Sequence, residues 1–416
     1  MAKIISLHAE SAPVNPAAQA DSLWCPDMNI SLNDFLEAEL DECLAKDIML
    51  VEWKASRLMY GKKYLFLIET CVEIIKKNDA NIRTTLAFGH IWLKNFIKNL
   101  DLVSNIIQYE VFSNDILVTG AGPSLDSSIS LIKEHREKLF LVASSSSIAA
   151  LHANDIKADI IISTDGGNWA RLHLYEVFRD IARSDKARSD KARSDSVLCT
   201  ALSGVLPAQC KDIPLLLLSD TSSWQNYILK KLRLPYLSLP QRGTVTASAL
   251  DLAFALSRGN IFVAGMDLQN NDIISHAKPY SFNYLLEEKE RRINPFYSQS
   301  FKRASLIKEG ASYKIYEEWF KRQISIYPRS VYSLGSNNPL FNKSRVIETG
   351  NINEVHYKLH RRSQNDSLKE KALLSLKSAL DLSQIKIELS ALLFPGLNVE
   401  KISRQDLLKA IKEAGF

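Results

Sequence analysis

Cysteine is scarce. The 416 residues hold five, Cys25, Cys43, Cys71, Cys199 and Cys210. They are odd in number, widely spaced and free of any Cys-x-x-Cys. That excludes a disulfide frame and a zinc ribbon, and predicts reduced core thiols in a cytoplasmic protein. No run of about 18 apolar residues exists, so no membrane insertion is expected. The first apolar run, Ile4-Ile5, breaks at Ser6 and His8, too early for a signal peptide. There is no six-residue dinucleotide fingerprint, no P-loop Gly-Lys-Ser/Thr and no compact Asp-x-Asp. Excess charge is also small. Lys and Arg number 52 against 47 Asp and Glu, a net +5. That suits an anionic small ligand or an acidic partner and gives no argument for nucleic acid.

What is present is an ordinary globular composition. Hydrophobic residues are 46% and charged residues 24%. Such a chain buries a real core, and its length allows two or three domains.

The chain is organised around Ile116-Leu117-Val118-Thr119-Gly120-Ala121-Gly122-Pro123-Ser124-Leu125-Asp126. This reads as a strand, a tight turn and a helix N-terminus. Gly120 and Gly122 allow close backbone approach. Pro123 suits a first helical turn. Ser124 and Asp126 are capping residues. A helix start of this kind either binds phosphate or carboxylate, or is a plain βα turn.

From Asp115 onward short apolar runs alternate with helical stretches. Strands are expected at 140–143, 159–163, 196–200, 214–218, 261–264 and 330–335. Unbroken apolar strands between helices indicate a mostly parallel, Rossmann-like α/β sheet. Ligands of such sheets bind at the carboxyl ends of strands. Gly120–Ser124, Ser144–Ser147, Asp165-Gly166 and Asp267 all fall there. We therefore divide the chain into a mainly helical accessory domain (1–111), an α/β domain (112–345) and a helical C-terminal domain (346–416). Residues 1–30 read as loosely ordered. Tyr64–Glu69 is either a strand or a buried helix. Trp92 and Phe96 read as core or interface. The tandem Ala-Arg-Ser-Asp-Lys repeat up to Ser196 reads as a solvated loop. Leu373 to Leu393 suit a helical hairpin packed on the core or on another subunit, which leaves room for a homo-oligomer.

Several side chains could carry chemistry. Asp165, before Gly166-Gly167, could hold a ribose hydroxyl, a metal or an amine, or simply cap its turn. Ser144 and Ser145 could bind ribose or phosphate, or cap the next helix. His276 could take a proton from an acceptor hydroxyl, or be an exposed loop histidine. Asp267 could shape the pocket or hold an acceptor. Tyr280 and Tyr284 could donate to a leaving phosphate, and Lys278 could offset its charge. Arg242, beside Gly243-Thr244, is another candidate phosphate contact.

Gly120-Ala121-Gly122-Pro123-Ser124-Leu125 resembles the signature of the Maf (motility-associated factor) flagellin glycosyltransferases. Their domain is shared with archaeal 6-hydroxymethylpterin pyrophosphokinases and is similar to that of CMP-sialic-acid-dependent bacterial sialyltransferases. A second block extends the likeness: Gly243-Thr244-Val245-Thr246-Ala247-Ser248-Ala249-Leu250, then Ile261–Leu268 with Gly265-Met266-Asp267, then His276. The resemblance covers roughly 112–345. It implies a sialyltransferase-like GT-A variant that moves a nonulosonic acid from a CMP-activated donor to Ser or Thr of flagellin. No metal or other cofactor would be required. His276 would be the base, with Asp267 beside it. Gly120, Ala121, Gly122, Pro123, Ser124, Ser144, Ser145, Asp165, Gly166, Arg242, Gly243, Thr244, Tyr280 and Tyr284 would line the nucleotide and phosphate site. The sialyltransferases carry Asn where this chain has Ala121, and another Asn at the Ser144 turn. The same domain also admits a magnesium-dependent pterin pyrophosphokinase using ATP, with Asp165 and Asp267 as metal carboxylates. A third alternative is a noncatalytic nucleotide-sugar-binding or flagellar assembly factor.

Overall fold

The computed structural model describes residues 3–10, 20–40, 45–175, 196–268, 274–309, 312–335, 338, 340, 341, 347, 352–362 and 367–414. The Ala-Arg-Ser-Asp-Lys repeat lies outside them, apart from Ser196. The chain forms two compact units, Met1–His90 with Leu380–Ala414, and Ile91–Ala379. The boundaries expected at 111 and 345 do not follow these units.

In the first unit, β1 (Ile5–Leu7) pairs in parallel with β2 (Ser22–Trp24). The loosely ordered reading of residues 1–30 thus gives way to two short paired strands within residues 3–10 and 20–30. Trp24 is buried and its indole N–H donates to Ile30 O at 3.0 Å. These strands share a small core with Phe35 and Leu36 of the helix Leu32–Leu40 and with Leu67, Cys71 and Ile74. The last three belong to the helix Lys62–Asn99, so Tyr64–Glu69 is helical. Its apolar residues recur at helical spacing, and only part of each turn is buried.

The second unit is built on a ten-stranded sheet. Its strands are β3 (Asn105–Tyr109), β4 (Ile116–Thr119), β5 (Phe140–Ser144), β6 (Ile160–Ser163), β7 (Val197–Ala201), β8 (Leu215–Ser219), β9 (Leu237–Ser238), β10 (Ile261–Ala264), β11 (Val331–Ser333) and β12 (Tyr357–Arg361). The order across the sheet is β11-β10-β4-β5-β6-β7-β8-β3-β12, with β9 beside β8. All pairs are parallel except β3 with β12. This is the expected mostly parallel α/β sheet. β4 to β8 and β10 are buried along nearly their whole length. That is why they read as unbroken apolar runs.

β3 and β12 extend the sheet past the expected 112–345 range. β3 lies before residue 112 and β12 lies after residue 345, yet both belong to this sheet. All five residues of β12 are exposed. Its sequence, Tyr-Lys-Leu-His-Arg, reads as charged and helical, so it was not expected as an antiparallel edge strand.

β5, β6, β7 and β8 follow β4 on one side, whereas β10 and β11 lie on its other side. The sheet therefore reverses direction between β4 and β10. A crevice at the carboxyl ends of strands opens at such a reversal.

Candidate functional site

Two turns meet at the reversal. Gly120 N donates to Ala264 O at 2.9 Å, and Gly122 N to Gly265 O at 2.8 Å. Ser124 N donates to Asp267 Oδ2 at 2.7 Å. The blocks around Gly120 and Gly265 thus interlock through backbone contacts. A Cβ on Gly120 would stand 2.4 Å from Gly265 O, and one on Gly265 equally close to Gly120 O. Gly265 also has φ +66°, a conformation that favours glycine.

The N–H groups of Gly120, Gly122 and Ser124 are used inside the fold. Asp267 supplies the negative charge at the N-terminus of the helix Ser124–His135. Pro123 immediately precedes that helix. Ala121 is buried, and its carbonyl accepts from Ala277 N at 2.9 Å. Asp126 accepts from Lys278 N at 3.1 Å, and burial pushes its carboxyl up. These two bonds hold the segment that carries His276 against the turn.

Other expected residues are also engaged locally. Ser144 is buried, with its Oγ 3.1 Å from Ser146 Oγ. Ser145 is buried in the short helical turn that follows β5. Ser147 bridges the turn to β4 through Thr119 Oγ1 at 3.0 Å. Asp165 is exposed, and its Oδ1 accepts from Gly167 N at 2.7 Å. That is the turn-capping arrangement. Gly166 is buried against Trp92, which leaves no room for a Cβ. Arg242 Nε donates to Asp251 Oδ2 at 2.5 Å, and its guanidinium lies 4.9 Å from the Trp319 ring centroid. Tyr327 donates to the other oxygen of Asp251 at 2.6 Å. Arg242 is therefore already matched in charge. Gly243 faces Tyr316, and Thr244 caps the helix Val245–Leu256 through Ala247 N at 3.1 Å. Tyr284 is exposed and donates to Glu288, one helical turn on.

His276 and Tyr280 do come together. Their rings stack at 3.8 Å with 10° between planes. Ser275 Oγ lies 2.8 Å from His276 Nδ1. Phe282 meets Tyr280 edge-on at 5.4 Å. Three residues at this cluster were not expected from sequence: His173, Phe282 and Arg303. His173 lies 4.4 Å from Phe282 and 5.4 Å from Tyr280, centroid to centroid. Arg303 stands over both Tyr280 and Phe282. Burial, aided by Arg303, pushes the His173 imidazole down to about 4. Burial, Arg303 and His173 push His276 down to about 3. Both rings are neutral near pH 7. No signal of spacing linked His173 to His276, more than 100 residues apart.

Among the described residues no group of three or more His, Cys, Asp or Glu is placed to hold a metal ion. Asp165 and Asp267 follow strands three positions apart, β6 and β10. At about 4.8 Å per strand that is roughly 14 Å between axes. No helix among the described residues is long and apolar enough to cross a membrane.

Residues 91–272 match the family model described as 6-hydroxymethylpterin diphosphokinase MptE-like. The matched stretch is 182 of the 416 residues. It holds β3 to β10 and both interlocked turns, the stretch to which the two glycine blocks pointed. His276, Tyr280 and Arg303 lie just beyond its matched end. An uncharacterized protein of Treponema pallidum (strain Nichols) is 25% identical over 251 residues, 60% of this chain and 53% of that protein. The chain thus spans about half the length of that relative. The structure of a MAf glycosyltransferase from Magnetospirillum magneticum AMB-1 superposes with a TM-score of 0.45 at 10% identity, covering 94% of this chain and 63% of that one.

Proposed function

We propose that this chain is a glycosyltransferase of the Maf type, transferring a nonulosonic acid from a CMP-activated donor to Ser or Thr of flagellin. The observation that carries the proposal is the His276–Tyr280 stack, held at the sheet reversal of an MptE-like domain. An imidazole neutral at pH 7 can accept a proton. In the proposed step the acceptor hydroxyl oxygen bonds to the anomeric carbon and its proton passes to His276. The bond from that carbon to the phosphate oxygen breaks, and CMP leaves with the electron pair. Tyr280 stacks on the ring and fixes its plane. Asp267 acts on the turn rather than on the acceptor.

The depressed His276 bears on this chemistry. A base works best with a pKa near the working pH. Without ligand, His276 is a weak base. An anionic donor beside it would offset Arg303 and raise its basicity, so the base would gain strength when substrate arrives.

The description of the matched family supports a second reading, a pterin diphosphokinase using ATP and magnesium. The separation of Asp165 and Asp267, each already holding a backbone N–H, disfavours that pair as joint metal ligands. The test is thermal shift of the purified chain with CMP or ATP, each with and without magnesium, followed by a transfer assay with CMP-nonulosonate and flagellin. Metal-independent stabilisation by CMP and transfer lost in His276→Gln support the transferase. Stabilisation by ATP only with magnesium would replace it with the kinase.

A further inference from the structure

We propose that Arg303 and His173 form a pocket for a compact oxyanion, phosphate or carboxylate, beside His276. The proposal rests on the reading of the site as one that handles an anionic donor, and it names the residues that would hold the anion.

Arg303 is unlike the other partly buried arginines. Arg136 pairs with Asp159 at 2.9 Å and Arg242 with Asp251 at 2.5 Å. Arg329 donates to the carbonyls of Gly259 and Ser257. Among the described residues Arg303 meets neither carboxylate nor carbonyl. Its guanidinium lies 5.2 Å from the Tyr280 ring centroid and 5.7 Å from that of Phe282. Contacts with ring faces account for its position but leave its N–H donors unmatched among the described residues.

Two more polar groups, one in this cluster and one next to it in sequence, lack partners among the described residues. His173 is 8% exposed and its Nδ1 is buried without a hydrogen bond. Ser281 Oγ, between Tyr280 and Phe282 in sequence, is likewise buried and unmatched. Buried polar atoms nearly always have a partner, so each such atom calls for an explanation. His276, stacked on the Tyr280 ring at 3.8 Å, completes the group.

The cluster is electrostatically one-sided. A guanidinium and two imidazoles surround two aromatic rings, and both imidazoles are pushed towards their neutral forms. A bound oxyanion would match the guanidinium and accept from Ser281 Oγ. It would also favour the protonated form of either ring. Arg303 binds such groups with two parallel donors.

Isothermal titration of the full chain with inorganic phosphate, CMP and free N-acetylneuraminate tests this. The variants are Arg303→Gln, His173→Phe and His173→Gln, with the exposed Arg291→Gln as a control for general charge. The expected result is binding of phosphate and CMP by the parent chain and by Arg291→Gln, with Kd raised at least tenfold in Arg303→Gln and His173→Phe. Imidazole resonances of the parent should titrate at higher pH with phosphate bound. Binding of N-acetylneuraminate alone, with the same losses, would assign the pocket to the sugar carboxylate. Binding of phosphate without CMP would keep the pocket and remove the CMP donor. Unchanged affinity in both Arg303→Gln and His173→Phe, or no binding of any probe by the parent chain, would overturn the pocket. Should His173→Phe fail to fold, Arg303→Gln and His173→Gln decide it.

Discussion

The backbone N–H of Ser124 donates to Asp267 Oδ2 at 2.7 Å, across 143 residues of sequence. An internal carboxylate thus occupies the helix start that would otherwise attract a ligand anion. The same bond ties β4 to β10 where the sheet reverses. Asp267→Ala should cost about 0.5–2 kcal/mol, the usual range for a lost helix cap. Asp267→Asn keeps an acceptor and should cost less. Urea unfolding monitored by circular dichroism measures both, and equal losses would mean that charge rather than the hydrogen bond matters.

Gly265 and Gly120 admit no side chain. Gly265→Ala combines a Cβ 2.4 Å from Gly120 O with a positive φ. Neither backbone can move without breaking the Gly120–Ala264 and Gly122–Gly265 bonds. A loss of about 3 kcal/mol or more is expected, in the range of overpacking plus backbone strain. An unchanged melting temperature in Gly265→Ala would show that the two turns do not interlock.

The Arg242–Asp251 pair, with Tyr327 on the second carboxylate oxygen, makes a separate prediction. Removing one member leaves the other charge buried. Asp251→Ala should therefore cost about 3 kcal/mol. Arg242→Met with Asp251→Leu should recover most of that loss. If the double variant also keeps CMP affinity, Arg242 has no part in holding phosphate. If CMP affinity falls while stability is restored, the phosphate role returns.

Most of the parallel sheet was legible because its strands are buried on both faces. Ile116–Thr119, Phe140–Ser144 and Leu215–Ser219 stand out as apolar runs for that reason. The exposed β12 offers no such run, and β9 has only two residues. The site was legible in part. The glycine blocks marked the place where the sheet reverses, since only glycine tolerates the mutual approach of the two turns. They did not mark who uses the donors. Whether Ser124 N meets a ligand or Asp267 depends on tertiary contact, as does the pairing of Arg242 with Asp251. His173 and Arg303 carry no local pattern at all. They matter only because folding brings them to Tyr280 and Phe282.

The last prediction concerns acid. Burial, with Arg303 nearby, holds the His173 imidazole at about 4, below its ordinary 6.5. The unfolded chain therefore binds a proton at His173 over a pH range in which the folded chain does not. Stability must fall as pH drops from about 6.5 to about 4, and level off for this group below that. Above 6.5 both states are neutral and the dependence vanishes. A shift of this size corresponds to roughly 3 kcal/mol between pH 7 and pH 4. His276, pushed down by burial, Arg303 and His173, adds to the slope with the same sign. The check is urea unfolding from pH 7.5 to 4 for the parent chain and His173→Phe. The variant should show a shallower decline, with the difference confined to that window. A variant whose decline parallels that of the parent chain would mean that His173 is not buried in its neutral form. A decline that also shrinks when phosphate is added would link the titration to anion binding, because a bound anion raises the folded-state pKa towards the unfolded one.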